Sequence, residues 1–320
     1  MFADTDFARP EVQEDVKNWG VWVAKELGLK GFRFDAIKHY SKRFLQDFIQ
    51  NLDAKLGDGW FLVGEYWDPC DLPALTEYLN TMHRKFNLFD APLVKNFHEI
   101  STSIRGDLRT VFNGSLVQVE PSRAVTLVMN HDTQPKQALE LYVTPWFIPL
   151  AYAYILLRLE GQPCVFYGDL YGINGGIDGD DKKGRPAIPG IPALCLARKL
   201  YAYGEQNDYW DRPNLIGWVR RGTWDRPHGC AVVLSNAEAG DIRMYVGQKH
   251  AGEIWTDVLG WHHTRVRIRR DGFGTFPVLH CDAARCVRSS LSVFVNEHAE
   301  GRESFGKFDA DIYASCSDLQ

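Results

Sequence analysis

The chain has 320 residues, 45% of them hydrophobic and 24% charged, with a formal net charge of −5. That length allows a large core, and the composition is ordinary for a globular protein, which excludes disorder throughout. The small negative charge and the absence of a basic block leave no footprint for nucleic acid or an anionic membrane.

The start, Met1 to Asp6, lacks the basic and apolar regions of a secretory signal. Val12, Val16, Trp19, Val23 and Leu27 recur at helical spacing, and Gly28 marks a helix end. Gly31-Phe32-Arg33-Phe34-Asp35-Ala36-Ile37-Lys38-His39 then reads as a buried strand ending in a carboxylate. Because residues i and i+2 of a strand point the same way, Arg33 stands beside Asp35 while Phe32 and Phe34 face covering helices. An arginine there favours the Asp35 anion. A second helix carries Phe44, Leu45, Phe48, Ile49 and Leu52, Gly57-Asp58-Gly59 turns, and Phe61-Leu62-Val63-Gly64-Glu65-Tyr66-Trp67 forms the next strand. A drier pocket against Tyr66 and Trp67 would raise the Glu65 pKa.

A weaker strand is expected over 86–89, a helix after Pro92, and a strand over Val125-Thr126-Leu127-Val128-Met129-Asn130-His131-Asp132. The apolar run from Pro145 to Leu157 is too short to span a bilayer and reads as a buried helix leading to a strand at Pro163 to Tyr167. These make five barrel-type strands. From Asn174 to Pro192 the chain is rich in Gly, Asp, Lys and Pro, as expected for a long loop over the sheet mouth. Asp178, Asp180 and Asp181 miss the EF-hand spacing and read as solvated charges.

After a helix over 193–203 the pattern changes to short strands over 215–220, 231–235, 243–246, 253–256, 265–269 and 292–295. Arg265, Arg267, Arg269 and Arg270 read as the wet face of one of them. The expected fold is α/β. A partial (β/α)8 barrel of about five strand–helix units occupies 1–205, an antiparallel β-sandwich 206–296, and a flexible tail 297–320. The seven cysteines are an odd number without a Cys-x-x-Cys pair, so no disulfide framework is expected; Cys281 and Cys286 read as plain thiols. A reducing, cytoplasmic location follows.

One strand–helix unit separates Asp35 from Glu65, and about two separate Glu65 from Asp132. Alone, each acid reads best as a helix N-cap or surface ion-pair partner. Three at barrel spacing, with Arg33 and His131, point to glycoside hydrolysis, which needs converging carboxyl groups.

These segments resemble the alpha-amylase family of retaining glycoside hydrolases, in particular the bacterial liquefying and fungal intracellular types. The motif Gly-Phe-Arg-x-Asp-Ala-x-Lys-His implies that Asp35 is the nucleophile. Gly-Glu-Tyr-Trp implies Glu65 as acid/base, and Asn-His-Asp-Thr-Gln-Pro implies Asp132 as transition-state stabiliser with His131 beside it. Phe166-Tyr167-Gly168-Asp169-Leu170-Tyr171-Gly172, Met244-Tyr245-Val246-Gly247 and Trp255-Thr256-Asp257 extend the resemblance over nearly 300 residues. Leu127 and Met129 depart from it where members often carry Phe and Asp.

The implied activity is hydrolysis of internal α-1,4-glucosidic bonds in starch- or glycogen-like glucans. Arg33, Lys38, His39, Trp67, His131 and Tyr171 are the implied substrate contacts. The resemblance also implies calcium, held by Asp4, Asp6 and the His39 carbonyl. The family's first three strands, its inserted domain and its Asp-x-x-x-Asn-His motif have no counterpart, so the chain matches the carboxyl-terminal two-thirds of an amylase. The missing amino-terminal half is accordingly an expected partner beside the glucan. Alternative readings are a silent fragment that at most binds glucan, or a related transglycosylase or isomaltose-type hydrolase.

Overall fold

The computed structural model describes residues 5–103, 106–173, 185–279 and 291–308. Strands β1 (Gly31–Phe34), β2 (Phe61–Gly64), β3 (Asn87–Phe89), β4 (Ala124–Leu127) and β5 (Gln162–Cys164) form one sheet in that order, every adjacent pair parallel. The helices before, between and after them are α1 (Pro10–Leu27), α2 (Lys42–Leu56), α3 (Leu72–Thr81), α4 (Ala91–Thr102), α5 (Leu116–Val119), α6 (Ile148–Leu157), α7 (Tyr167–Tyr171) and α8 (Ile191–Tyr201).

Local chemistry accounts for where these helices start. The Ser41 hydroxyl accepts from the Phe44 N–H, and Asp71 and Asp90 cap α3 and α4 in the same way. Proline sits in the first turn of α1, α3, α4, α6 and α8, where its missing N–H costs no helical bond. The apolar run forms α6, and all ten of its residues are buried. Among the described residues no helix is long and apolar enough to cross a membrane.

The second part is antiparallel. Strands β6 (Gln206–Arg212), β7 (Leu215–Arg220), β8 (Cys230–Ser235), β9 (Gly240–Tyr245), β10 (Ile254–Asp257), β11 (Val266–Arg267), β12 (Phe273–Val278) and β13 (Leu291–Asn296) divide into two sheets. One has the order β11-β10-β13-β8-β7-β6, and the other pairs β12 with β9. Leu215, Val219, Val233, Met244, Trp255, Phe276 and Phe294 pack together between the sheets. The alternate residues Ile216, Trp218, Val232, Leu234 and Val293 join the core of the parallel part. This explains why β7 and β8 are apolar at nearly every position: both faces are covered.

The pattern of a partial barrel followed by an all-β unit is therefore present, with departures of detail. β6 and β12 escape the sequence reading because Asn207, Asp208 and Asp211 surround Tyr209 and Trp210 in one and the other contains Gly274 and Pro277, and Asn, Asp, Gly and Pro are depleted in strands. The expected loose tail is packed over 297–308. The Tyr201 hydroxyl donates to the Glu300 carbonyl at 2.8 Å, and the Phe305 ring lies parallel to Tyr201 with centroids 6.1 Å apart. Cys70, Cys164, Cys195 and Cys230 are free thiols. Asp178, Asp180, Asp181, Cys281 and Cys286 lie outside the described residues.

Candidate active site

Gly64 pairs with Phe34 across β1 and β2, so the next residues, Asp35 and Glu65, emerge side by side. Two further bonds carry the pairing past the strand ends: the Glu65 N–H donates to the Phe34 carbonyl at 2.8 Å, and the Ile37 N–H to the Glu65 carbonyl at 3.1 Å. The chain turns away after Asp35 through Ala36, a non-glycine residue at φ 47, into a 3₁₀ turn over Ile37–His39. That backbone costs on the order of 1 kcal/mol or more and is held by its surroundings. Gly64 packs beneath it, and a Cβ there would lie 2.4 Å from the end of the Ile37 side chain, which would have to shift.

Arg33 reaches both acids, donating to Asp35 Oδ1 at 2.7 Å and to Glu65 Oε2 at 2.5 Å. Its guanidinium carbon lies 5.9 Å from the Phe89 ring centroid. The two carboxyls differ in surroundings: Glu65 is 5% exposed, whereas the Asp35 side chain is 71% exposed. Burial, then the hydrogen bond to Asp35, pushes the Glu65 carboxyl up. Asp35 is held below its ordinary value, first by that hydrogen bond from Glu65 and then by Arg33. One acid tends to keep its proton and its neighbour to lose it.

Asp132 lies in the loop beyond β4 rather than at the end of the strand. Asn130 Oδ1 accepts from the N–H groups of Asp132 and Thr133, each at 2.9 Å, and Thr133 Oγ1 accepts from the Asn130 N–H. This side-chain turn fixes the loop without sheet pairing. His131 Nε2 lies 3.2 Å from Asp132 Oδ2. The Asp132 charge contributes to raising Glu65, and the His131 charge to lowering Asp35.

The remaining expected contacts are distributed unevenly. Lys38 donates from Nζ to the Trp67 carbonyl at 2.7 Å, and His39 is exposed on the 3₁₀ turn. Trp67 is 8% exposed and packs with Ala91, Val94 and Leu127, so its indole belongs to an apolar cluster rather than to an open stacking platform. Tyr171 lies on α7 against Tyr167 and Phe308. Sequence reasoning missed Tyr40, whose hydroxyl is pushed up to about 12 by burial and the Asp35 charge. It directly follows His39, and extending the motif by one residue would have included it. Cys164, whose thiol is raised by burial against the opposing Arg33 charge, was also missed because an isolated cysteine carries no spacing signal.

Asp4 lies outside the described residues, and Asp6 is exposed and accepts from the Ala8 N–H at 3.0 Å. Among the described residues no three His, Cys, Asp or Glu side chains converge as a metal site. Asp6 and His39 do not amount to the six to eight oxygen ligands calcium takes.

No family model matches the chain. It is 44% identical over 300 residues to a glucan 1,4-alpha-maltohexaosidase from Bacillus sp. (strain 707), covering 93% of this chain and 55% of that protein. It is 40% identical over 302 residues to the cytoplasmic alpha-amylase of Escherichia coli (strain K12), covering 93% and 59%. The chain thus spans about half the length of the curated relatives it matches. Among solved structures, an Anoxybacillus alpha-amylase superimposes with a TM-score of 0.66 at 20% identity, covering 93% of this chain and 66% of that one, which bears on the fold alone. Over nearly its whole length the chain is similar to the alpha-amylases, as its three carboxylate motifs imply.

Proposed function

We propose that this chain carries the acid-bearing part of an alpha-amylase-type retaining hydrolase acting on internal α-1,4-glucosidic bonds of starch- or glycogen-like glucans. The observation that carries the reading is the single guanidinium of Arg33 bridging Asp35 and Glu65, two carboxyls whose surroundings push their proton affinities apart. Retention requires the two carboxyls to lie about 5–5.5 Å apart, a spacing that fits two acids bridged by one guanidinium.

In this mechanism Glu65 gives its proton to the leaving glycosidic oxygen while the Asp35 carboxylate attacks the anomeric carbon, forming a glycosyl ester. Water then attacks that carbon, Glu65 takes its proton, and the Asp35 carboxylate is released. Asp132 and His131 hold sugar hydroxyls as positive charge develops on the ring. In this reading Lys38 and His39 lie on the leaving-group side. Purified protein is assayed on soluble starch for released reducing ends, with Glu65→Gln as the control. No release by the unmutated chain sinks the hydrolase reading.

One observation favours a second reading. Among the described residues β1 and β5 are the edges of a five-stranded sheet, and closure of a (β/α)8 barrel needs eight strands. A chain binding glucan without cleaving it, or acting only with a polypeptide that supplies the remaining strands, fits that sheet. Granule binding without hydrolysis would select it, and transfer to an acceptor glucan would select a transglycosylase. The cytoplasmic location of the Escherichia coli relative and the free thiols support the same location here. The boundary at residues 205 and 206 is supported by the change from parallel to antiparallel pairing. Calcium remains part of this reading only if further ligands come from outside the described residues.

A further inference from the structure

We propose that the turn joining β7 to β8 is a second α-glucan-binding surface, with Trp224 as its stacking platform and the adjoining polar hollow as the site for sugar hydroxyls. The inference rests on the α-glucan reading above. Trp224 is 97% exposed, so its large apolar ring contributes almost nothing to the core. An indole left in water has a flat face open to a pyranose ring, while its N–H stays free to bond a hydroxyl.

The turn that presents it is held at several points. The Gly222 N–H donates to the Tyr203 carbonyl and the Thr223 N–H to the Arg226 carbonyl, both at 2.9 Å. Thr223 Oγ1 donates to Asp225 Oδ1 at 2.8 Å, and Arg226 Nη1 to the Lys199 carbonyl at 2.9 Å. Gly222 has φ 72, and a Cβ there would sit 2.6 Å from the Arg226 carbonyl oxygen, so only glycine fits. A platform fixed in this way loses little further freedom when a ligand stacks on it.

Arg221 and Gly222 at the start of the turn also line a hollow of about 410 Å³ with Glu205, Tyr245, Gln248 and Lys249. That volume lies within the roughly 300–1,000 Å³ of small-molecule sites. Arg221 Nη1 donates to Glu205 Oε2 at 2.9 Å, and its guanidinium carbon lies 5.2 Å from the Tyr245 ring centroid. Lys249 Nζ donates to the Pro227 carbonyl at 2.9 Å, tying the far wall of the hollow to the same turn. An aromatic ring framed by carboxylate, guanidinium, amide and ammonium groups offers both donors and acceptors at short range. A polyhydroxylated chain uses such a mixture better than an apolar or singly charged ligand does.

The test compares the unmutated chain with Trp224→Ala and Trp224→Phe, reading binding to raw starch granules and fluorescence titration with maltoheptaose, alongside hydrolysis of maltotriose. Trp224→Ala is expected to weaken granule binding about tenfold, on the order of one aromatic stacking contact, and to leave maltotriose turnover unchanged. Trp224→Phe should restore most of the binding. Equal granule binding by the unmutated chain and Trp224→Ala, or no binding by either, overturns the inference whether or not starch is cleaved. Trp224-dependent binding by a chain that cleaves nothing keeps the inference and removes the hydrolase reading.

Discussion

Arg33 serves two acids at once, and its removal tests the pair. Hydrolysis requires Asp35 ionised and Glu65 protonated, so the acid limb of kcat/KM belongs to Asp35 and the alkaline limb to Glu65. The Arg33 charge lowers both carboxyls, so in Arg33→Gln both rise and both limbs should move to higher pH. A pH–rate profile with unmoved limbs would remove Arg33 from this role. The placement of Arg33 beside Asp35 was legible because strand side chains alternate strictly. The fate of Trp67 was not legible, since whether an aromatic two residues past Glu65 stacks on sugar or packs inward depends on Ala91, Val94 and Leu127, which come from other elements.

At the scale of elements, two buried charges join segments far apart in sequence. Asp90 caps α4 through the Leu93 N–H at 3.0 Å and also accepts from the N–H groups of Leu116 at 2.9 Å and Val117 at 2.7 Å. Burial pushes its carboxyl up to about 6 in spite of these bonds. Between its ordinary 3.8 and about 6 the folded state holds the proton more tightly than the unfolded chain. Its contribution to stability is therefore full below that window and lost as pH rises through it. Asp90→Asn should reduce the loss of stability between pH 4 and pH 6. At neutral pH it should destabilise by about 1–3 kcal/mol, because an amide NH₂ would oppose a backbone N–H. Urea unfolding at both pH values measures this.

Arg158, just past α6, is 5% exposed and ringed by Phe112, Trp210 and Trp218 at 5.2, 4.8 and 5.5 Å from their centroids. It pairs with Asp208 through two bonds of 2.8 and 3.0 Å, which fastens the helix to β6. Arg158→Ala should cost about 2–4 kcal/mol, and Arg158→Lys should recover little because an ammonium neither stacks nor forks. Full rescue by lysine in thermal unfolding would refute that account. Both β6 and this anchor were hidden in sequence, since Gln206 to Arg212 reads as polar turn chemistry until Arg158 is placed beside it.

For the whole molecule, the open edges dominate. Among the described residues β1 and β5 each lack a neighbour on one side, and on α1 Trp19 and Trp22 remain 53% and 58% exposed, with Leu27 at 68%. Unpaired strand edges beside exposed apolar side chains are a template for further pairing. The isolated chain should therefore self-associate as concentration rises, and Trp19→Lys with Trp22→Lys should lower the association. Sedimentation velocity over a concentration series reads this, and a concentration-independent monomer would contradict it. The same edge leaves Asp35 71% exposed, so a polypeptide closing the sheet beside β1 would also dry the Asp35 side of the site.

The sequence by itself determined the local outcomes. Period-two and helical spacing with turn residues placed the five parallel strands and most of the longer helices, though not α3, and the three motifs selected Asp35, Glu65 and Asp132. Those signals are short in range, carried by residues within one or two turns of each other. Only the tertiary structure decided which side chains share an environment. The pairing of Phe34 with Gly64 sets Asp35 against Glu65, and the Asn130 turn carries Asp132 beyond its strand. The second sheet buries both of its faces, and Trp224 stays in water while Trp67 does not. Burial and long-range electrostatics are properties of what surrounds a residue, and those surroundings exist only once distant segments have met.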